Sequence, residues 1–234
     1  MTAIMVRRLF LFLLVIYHTL DCQATFDPLP AAFWPLNKHT KEYDVSGNEH
    51  HATPYDVTLS TGPYDKQETA YTFYGNSSSY MKITGDTDVA KEGSFAFTAF
   101  VNLRALRSMP FIEWKVGANI WCHPLKNVMA NLQYSSIHKF ASLTFTANLW
   151  YFLGVSYNKD SGEMIACLNA VCESASQQLV VKTDPTVLYL GTRDRIDVNF
   201  DGKMSCVMLF DKGLTVEEMK RVKDYCDEIY NMKG

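Results

Sequence analysis

The chain has 234 residues, of which 47% are hydrophobic, and its formal net charge is -3 at pH 7. This composition is typical of a globular protein with a sizeable core. The mild acidity and the lack of any long run of lysine or arginine argue against a nucleic-acid partner, because phosphate binding needs a basic patch.

The first 24 residues have the features of a secretory signal peptide. Arg7 and Arg8 precede an apolar run at residues 9–17, and small residues follow near Ala24. The apolar run is shorter than the roughly 20 residues that a membrane-spanning helix needs. We therefore expect cleavage after Ala24, with a cut before Cys22 as the alternative, and a secreted, extracellular protein without a membrane span.

Residues 25–234 contain no Pro/Gly/Ser-rich linker, low-complexity tract or internal repeat, which favours a single domain. Short runs rich in aromatic and β-branched residues, separated by turn residues, predict an all-β sandwich. In the run at residues 94–103, Phe95, Phe97, Ala99 and Val101 alternate with other residues, so one face should be buried under a second sheet. The predicted strands cover residues 31–36, 70–75, 79–84, 94–103, 110–116, 148–158 and 186–192.

Residues 161–175 predict a β-hairpin whose tip is Asn169-Ala170. A two-residue tip places Cys167 opposite Cys172 in a non-hydrogen-bonded pair, where the Cα atoms are close enough for a disulfide.

The C-terminal segment predicts one amphipathic helix. Thr215 and Glu218 have the spacing of a capping box on its first turn. Apolar residues then recur at helical spacing and should pack on the sandwich; they are Val216, Met219, Val222, Cys226 and Ile229.

Loss of Cys22 would leave an odd number of cysteines. We hypothesise that a second disulfide joins Cys206 to Cys226 and ties the last strand to the helix. Cys122 is then either a buried free thiol or the bridge of a disulfide-linked homodimer, and the sequence leaves both open.

The order of these segments resembles the LamG-like jelly rolls (laminin G/pentraxin-like) of the concanavalin A-like lectin/glucanase superfamily. The resemblance covers about residues 31–226. It rests on "FWPLNKHTKEYDVSGNEHHAT", "AYTFYGNSSSYMKI", "SFAFTAFVNL", "NLWYFLGVSYNKDSGEMIACLNA" and "VLYLGTR…FDGKMSCVMLFDKGLTVEEM". It implies a two-sheet antiparallel jelly roll with one short C-terminal helix. The superfamily includes glycan binders, adhesion modules, recognition proteins and some glycosidases, so the fold alone does not give the function.

The sequence predicts no catalytic residues. The resemblance implies that a glucanase of this superfamily would carry Glu-x-Asp-x-Glu or Glu-x-Asp-x-x-Glu on one strand, since retention needs two carboxylates about 5 Å apart. The strand "PFIEWKV" carries only Glu113, followed by Lys115 and Gly117. No nucleophile elbow, zinc-protease helix or phosphate-binding glycine loop occurs either.

Calcium is the most reasonable metal for this chain. Zinc is disfavoured because the histidines near residues 39–51 have no second ligand cluster. Resemblance to calcium-binding relatives makes Asp44, Asn48 and Asp201 the candidate oxygen ligands. The competing interpretation is that Asp and Asn at these positions bond their own backbone and stabilise turns.

Candidate ligand-binding residues are aromatic or basic. Trp114 and Trp121 could stack on sugar rings or anchor a protein partner, and the alternative for both is the core. Arg193 and Arg195 lie in a charged loop after a strand, where sandwich proteins commonly bind ligands. Asn76 begins an Asn-Ser-Ser sequon for N-glycosylation.

We therefore expect a secreted, non-catalytic binding module that recognises a glycan or a cell-surface or matrix ligand. The alternatives are a structural or adhesion protein that acts through protein contacts, and a polysaccharide-cleaving glycosidase.

Overall fold

The structure is a computed structural model that describes residues 27–231, apart from residues 91, 124, 126, 134–135, 182, 185 and 194–195. Within strands and the helix, the side chains of residues 133, 136–137, 196–197 and 231 are also outside the description. The predicted signal peptide, residues 1–24, therefore lies outside the described residues.

The described residues form mainly β-strands and one C-terminal α-helix. The helix α1 spans Val216–Asn231, and a short 3-10 turn covers Pro63–Asp65. The strands, in chain order, are β1 (Ala32–Trp34), β2 (Ala52–Tyr55), β3 (Thr58–Ser60), β4 (Ala70–Tyr74), β5 (Tyr80–Thr84), β6 (Phe95–Leu103), β7 (Met109–Trp114), β8 (Asn119–Cys122), β9 (Asn127–Gln133), β10 (Ser136–Thr144), β11 (Trp150–Asn158), β12 (Glu163–Leu168), β13 (Val171–Ser176), β14 (Val187–Leu190), β15 (Thr192–Arg193), β16 (Ile196–Asn199) and β17 (Asp201–Phe210).

Two large antiparallel sheets form a sandwich. The sheet that carries the helix, called here the helix-side sheet, has the order β13-β12-β11-β6-β17-β4-β3, and β1 also pairs with β17. The other, called here the open sheet, has the order β10-β9-β8-β7-β14-β5-β2. Strands β15 and β16 make a separate two-stranded hairpin. The predicted two-sheet antiparallel sandwich with a C-terminal helix is confirmed.

The main core lies between the two sheets. Phe95, Phe97, Ala99 and Val101 are buried there, as the alternation along β6 predicts. The opposite face of the helix-side sheet is also apolar, with Phe100 and Phe152 in edge contact at 5.4 Å between ring centroids. That second apolar face needs its own cover, which the helix supplies.

Helix α1 packs on the outer face of the helix-side sheet. Its capping box forms as predicted: the Glu218 amide donates to Thr215 Oγ1 at 3.2 Å, and the Thr215 amide donates to Glu218 Oε2 at 2.8 Å. Met219 and Val222 are buried against the sheet, whereas Val216, predicted for the same stripe, is exposed on the first turn. No helix in the described part of the chain is long and apolar enough to cross a membrane.

Both intramolecular disulfides are present. Cys167 lies opposite Cys172 in the β12–β13 hairpin, with the Cα atoms 4.1 Å apart. Asn169 takes the positive φ of the tip, at 54°, and its side chain accepts a hydrogen bond from the Phe152 amide at 2.9 Å. The second disulfide links Cys206 of β17 to Cys226 of α1.

Cys122 is a free thiol that points into the core from β8. The side chain is fully buried, and this burial raises the pKa of the Cys122 thiol to about 12. The placement corresponds to the buried-thiol alternative rather than to a bridge between two chains.

Candidate binding face

The outer face of the open sheet is a candidate binding site because α1 covers the opposite side of the sandwich. Neighbouring residues on a strand point to opposite faces, so the side chains of each open-sheet strand alternate between the core and the outer face. The inward positions, such as Met81, Ile112, Ile120 and Leu190, are fully buried. We call the other side the open face; its described residues are Thr53, Tyr55, Tyr80, Lys82, Glu113, Asn119, Trp121, Met129, Asn131, Lys139 and Tyr189.

Three tyrosines form a continuous aromatic row on this face. Tyr55 and Tyr80 are directly opposite each other on β2 and β5, and their rings stack with centroids 4.6 Å apart and planes 19° apart. Tyr189 of β14 meets Tyr80 edge to face, with centroids 6.0 Å apart. Burial raises the pKa of Tyr80, and the neighbouring Tyr55 adds to the effect. The hydroxyl of Tyr80 is therefore neutral at physiological pH and can both donate and accept hydrogen bonds.

A second cluster, formed by Glu113, Trp121 and Arg193, lies beside the tyrosine row. The indole Nε1 of Trp121 donates to Glu113 Oε2 at 3.1 Å, and Arg193 Nε lies 3.0 Å from Glu113 Oε1. The Arg193 guanidinium also lies over the Trp121 ring, 5.4 Å from its centroid. The two candidates Trp121 and Arg193 are thus brought together, with Trp121 only 6% exposed beneath Arg193, and Arg195 lies outside the described residues.

Glu113 is the residue of this cluster that the sequence analysis did not assign to binding. Glu113 is only 5% exposed, and its carboxylate holds both Arg193 and Trp121 in place. The alternation along "PFIEWKV" could have predicted this position. Glu113 lies between Ile112 and Trp114, which both point inward, so its own side chain points outward, on the same side as Trp121.

Trp114 differs from its expected role as a ligand contact. It follows Glu113 on β7 and therefore points inward, where it is 1% exposed. Its Nε1 donates to the Thr87 carbonyl at 2.8 Å, and its ring contacts Phe95 edge to face. Trp114 is therefore a core residue, because the alternation along β7 places its side chain between the two sheets.

Polar residues extend the open face beyond the aromatic side chains. Glu113 is opposite Asn119, and Asn119 is opposite Asn131 on the next strand. The Asn131 Oδ1 atom is shielded from solvent and accepts no hydrogen bond from the described residues.

The three candidate calcium ligands have other partners. Both Asp44 oxygens accept hydrogen bonds: Oδ1 from the Phe33 and Ser46 amides at 2.8 and 2.9 Å, and Oδ2 from the His50 amide at 2.9 Å. Asn48 Nδ2 donates to the Ala31 carbonyl at 2.9 Å. These contacts stabilise the opening turn, which is the role that short polar side chains commonly have in turns.

Asp201 is also remote from the opening turn. It starts β17 and accepts from Arg104 Nε at 2.6 Å, whereas β1, next to the turn, pairs with β17 at Met208. Seven residues of strand separate Asp201 from Met208, about 23 Å at about 3.3 Å per residue. Among the described residues, no group of three or more His, Cys, Asp or Glu side chains could hold a metal ion. The three candidates do not fit one calcium site.

Comparison with known proteins identifies similar folds. Neither the known protein families nor the curated protein sequences contain a match to this sequence. Domain 4 of AbnA, a GH43 extracellular arabinanase from Geobacillus stearothermophilus solved in complex with arabinotriose, has a similar structure, with a TM-score of 0.66 and 15% identity. The match covers 82% of this chain and 97% of that domain.

Toxin binding domains share the fold as well. The botulinum neurotoxin type G receptor binding domain matches with a TM-score of 0.65 and 12% identity over 84% of this chain and 51% of its own. A structure of botulinum neurotoxin type C, whose cell entry depends on interaction with two ganglioside molecules, matches with a TM-score of 0.65 and 14% identity over 87% and 53%. This chain therefore spans about half of the toxin domains. At such identities the likeness defines the fold, a β-sandwich found in carbohydrate- and receptor-binding domains.

Proposed function

We propose that this protein is a secreted, non-catalytic binding module that recognises a glycan on its open face. The observation that carries the proposal is the row of Tyr55, Tyr80 and Tyr189 beside the Trp121 cluster. Sugar rings present apolar C–H faces and polar edges, and aromatic rings with polar tips match both. The structural neighbours that bind arabinotriose or depend on gangliosides support this choice of ligand class.

Contacts within the protein itself hold the main side chains of the open face in place. Tyr80 has an aromatic contact on each side, from Tyr55 and Tyr189. Arg193 and Trp121 are both held by Glu113. Binding to side chains that are already ordered costs less conformational entropy than binding to mobile ones. The fixed geometry therefore favours recognition of a ligand of defined shape.

The environment of Glu113 supports a binding role over catalysis. A general acid or nucleophile must present its carboxylate to the substrate. Glu113 instead directs both oxygens to neighbouring side chains, Arg193 and Trp121. We infer that it positions these two residues.

Secretion and a single domain at residues 25–234 belong to the same proposal. The two disulfides fit an oxidising extracellular environment. Asn76 is exposed in the turn between β4 and β5, where an N-glycan could be attached. A LamG-like relationship remains part of this proposal and is supported by the sandwich topology.

A glycan array with purified wild-type protein tests the proposal, together with Tyr80→Ala. Removing the central ring of the row should weaken glycan binding by about tenfold or more, as loss of a central aromatic anchor commonly does. Tyr64→Ala is the matched control, because Tyr64 is 54% exposed but lies on the helix side of the sandwich, where its hydroxyl donates to Asp227 of α1. Thermal melts should show that both variants are folded.

Two results would redirect the interpretation. Silence of the wild-type protein across the array would favour the structural or adhesion alternative, in which the same face contacts proteins. Release of reducing ends from a bound polysaccharide, lost in Glu113→Gln, would instead indicate a glycosidase.

A further inference from the structure

We propose that the open face selects acidic oligosaccharides, with carboxylate or sulfate groups, over neutral ones. This inference rests on the proposed glycan-binding function and specifies its ligand class. It is drawn from the distribution of charge over the described side chains of the face.

The described charged side chains of the open face, together with the adjoining Arg193, are net positive although the whole chain is negative. The protein carries a formal net charge of -3. These charged side chains are Lys82, Lys139, Arg193 and a single carboxylate, Glu113, which is paired with Arg193. Such a local reversal of sign attracts anionic ligands and disfavours cationic ones.

Two of the cations lack a partner within the described structure. Lys82 and Lys139 form no ion pair or side-chain hydrogen bond with any described residue, whereas Lys212 and Lys223 on the helix side are both paired with carboxylates. Burial lowers the pKa of His123, and the positive charge of the nearby Lys139 lowers it further. An anionic group would therefore give each lysine a charge-assisted hydrogen bond that the protein does not supply.

The positions of the cations match an extended ligand. Lys82 is the cross-strand neighbour of Tyr189, and Lys139 is two strands beyond Trp121. The order β5-β14-β7-β8-β9-β10 separates the two lysines by five strand spacings, about 24 Å at about 4.8 Å each. Tyr189 and the Trp121 cluster lie between these ends, whereas Tyr80 shares β5 with Lys82 and Tyr55 is on the next strand outward, β2. This arrangement suits an oligosaccharide that crosses the strands with acidic groups near its ends.

Matched pairs of hexasaccharides test the inference. One pair is a hyaluronan hexasaccharide and its carboxyl-reduced form, and the other is a sulfated galactan hexasaccharide and its desulfated form. We expect the charged member of at least one pair to bind about tenfold or more tightly, and that preference to fall at high salt, which screens exposed charges. The pair that shows the preference identifies carboxylate or sulfate as the recognised group.

The double variant Lys82→Gln/Lys139→Gln should lose most of this preference, while Lys220→Gln/Arg221→Gln should keep it. Lys220 and Arg221 are exposed cations on α1, so this second double variant controls for the loss of two positive charges. Because neither open-face lysine has a described partner, the Lys82→Gln/Lys139→Gln variant should fold normally, and a thermal melt checks this.

The failures of the two proposals are distinguishable. Equal binding of charged and neutral members, or an unchanged preference in the Lys82→Gln/Lys139→Gln variant, overturns the acidic-ligand inference and leaves the glycan-binding function intact. No binding of any hexasaccharide, together with a silent glycan array, overturns both.

Discussion

The guanidinium of Arg193 lies over the indole of Trp121, 5.4 Å from the ring centroid, while its Nε lies 3.0 Å from the carboxylate of Glu113. Arg193 therefore contacts both the carboxylate of Glu113 on β7 and the indole of Trp121 on β8. Glu113 is only 5% exposed, so its carboxylate depends on this partner. A buried charge that loses its counter-ion is strongly destabilising, because it keeps its desolvation cost.

Removal of that partner should lower stability. We expect Arg193→Met to reduce the free energy of unfolding by about 1–3 kcal/mol, a range typical of an unpaired buried polar group. Urea unfolding of Arg193→Met, Glu113→Gln and the double variant forms a double-mutant cycle. The double variant should be less destabilised than the sum of the two single variants, and simple additivity would contradict a direct pairing.

The parts of the fold that the sequence predicted are those where pattern and burial coincide. Alternating apolar residues identified β6, and turn chemistry identified the β12–β13 hairpin with its disulfide. The capping box identified the start of α1. In each case local residues alone determine the geometry, so no long-range contact has to be known.

The strands that were missed build much of the open sheet. Strands β2, β9 and β10 carry polar residues outward, and polar residues such as Asn131 and Lys139 weaken the strand signal. The pairing of β2 with β5 also crosses two intervening strands of the sequence, which no local pattern shows. The candidate site was missed in part for the same reason: Trp121 and Arg193 were identified singly, but only the pairing of β14 with β7 brings Glu113 and Tyr189 together.

The two disulfides should contribute unequally to stability. Cys206–Cys226 spans 20 residues of sequence, whereas Cys167–Cys172 spans only 5. In the chain-entropy description the longer loop is worth about 3 kcal/mol and the shorter about 2 kcal/mol. Replacing each pair by alanines and comparing urea midpoints measures the order. A larger loss of stability in Cys167→Ala/Cys172→Ala would show that packing within the β12–β13 hairpin contributes more than the reduced entropy of the unfolded chain.

Asp44 should act in stability rather than in calcium binding. Its carboxylate accepts from the amides of Phe33, Ser46 and His50, so Asp44→Ala leaves these donors unpaired. We expect a loss of about 2–3 kcal/mol, because charged acceptors make stronger hydrogen bonds. Asp44→Asn should lose less, since the amide oxygen can still accept.

The same experiment separates the two roles of Asp44. Thermal unfolding of the wild-type protein should give the same midpoint in calcium and in chelator, because the carboxylate oxygens are already occupied. A calcium-dependent rise in the midpoint that disappears in Asp44→Asn would establish the turn as a calcium site, since a ligand that binds only the native state stabilises it.

Cys122 should be chemically silent in the native protein. Its side chain is fully buried, and burial raises the thiol pKa to about 12. The thiolate is the reactive form, so both burial and the raised pKa slow reaction with thiol reagents. We expect an aromatic disulfide reagent at pH 8 to label no thiol in the native, non-reduced protein and one thiol per chain after denaturation.

Non-reducing electrophoresis should show a monomer, and Cys122→Ala should behave identically. A band of doubled mass that disappears in Cys122→Ala would mean that β8 opens far enough for two chains to be joined, and the disulfide-linked homodimer would then be correct.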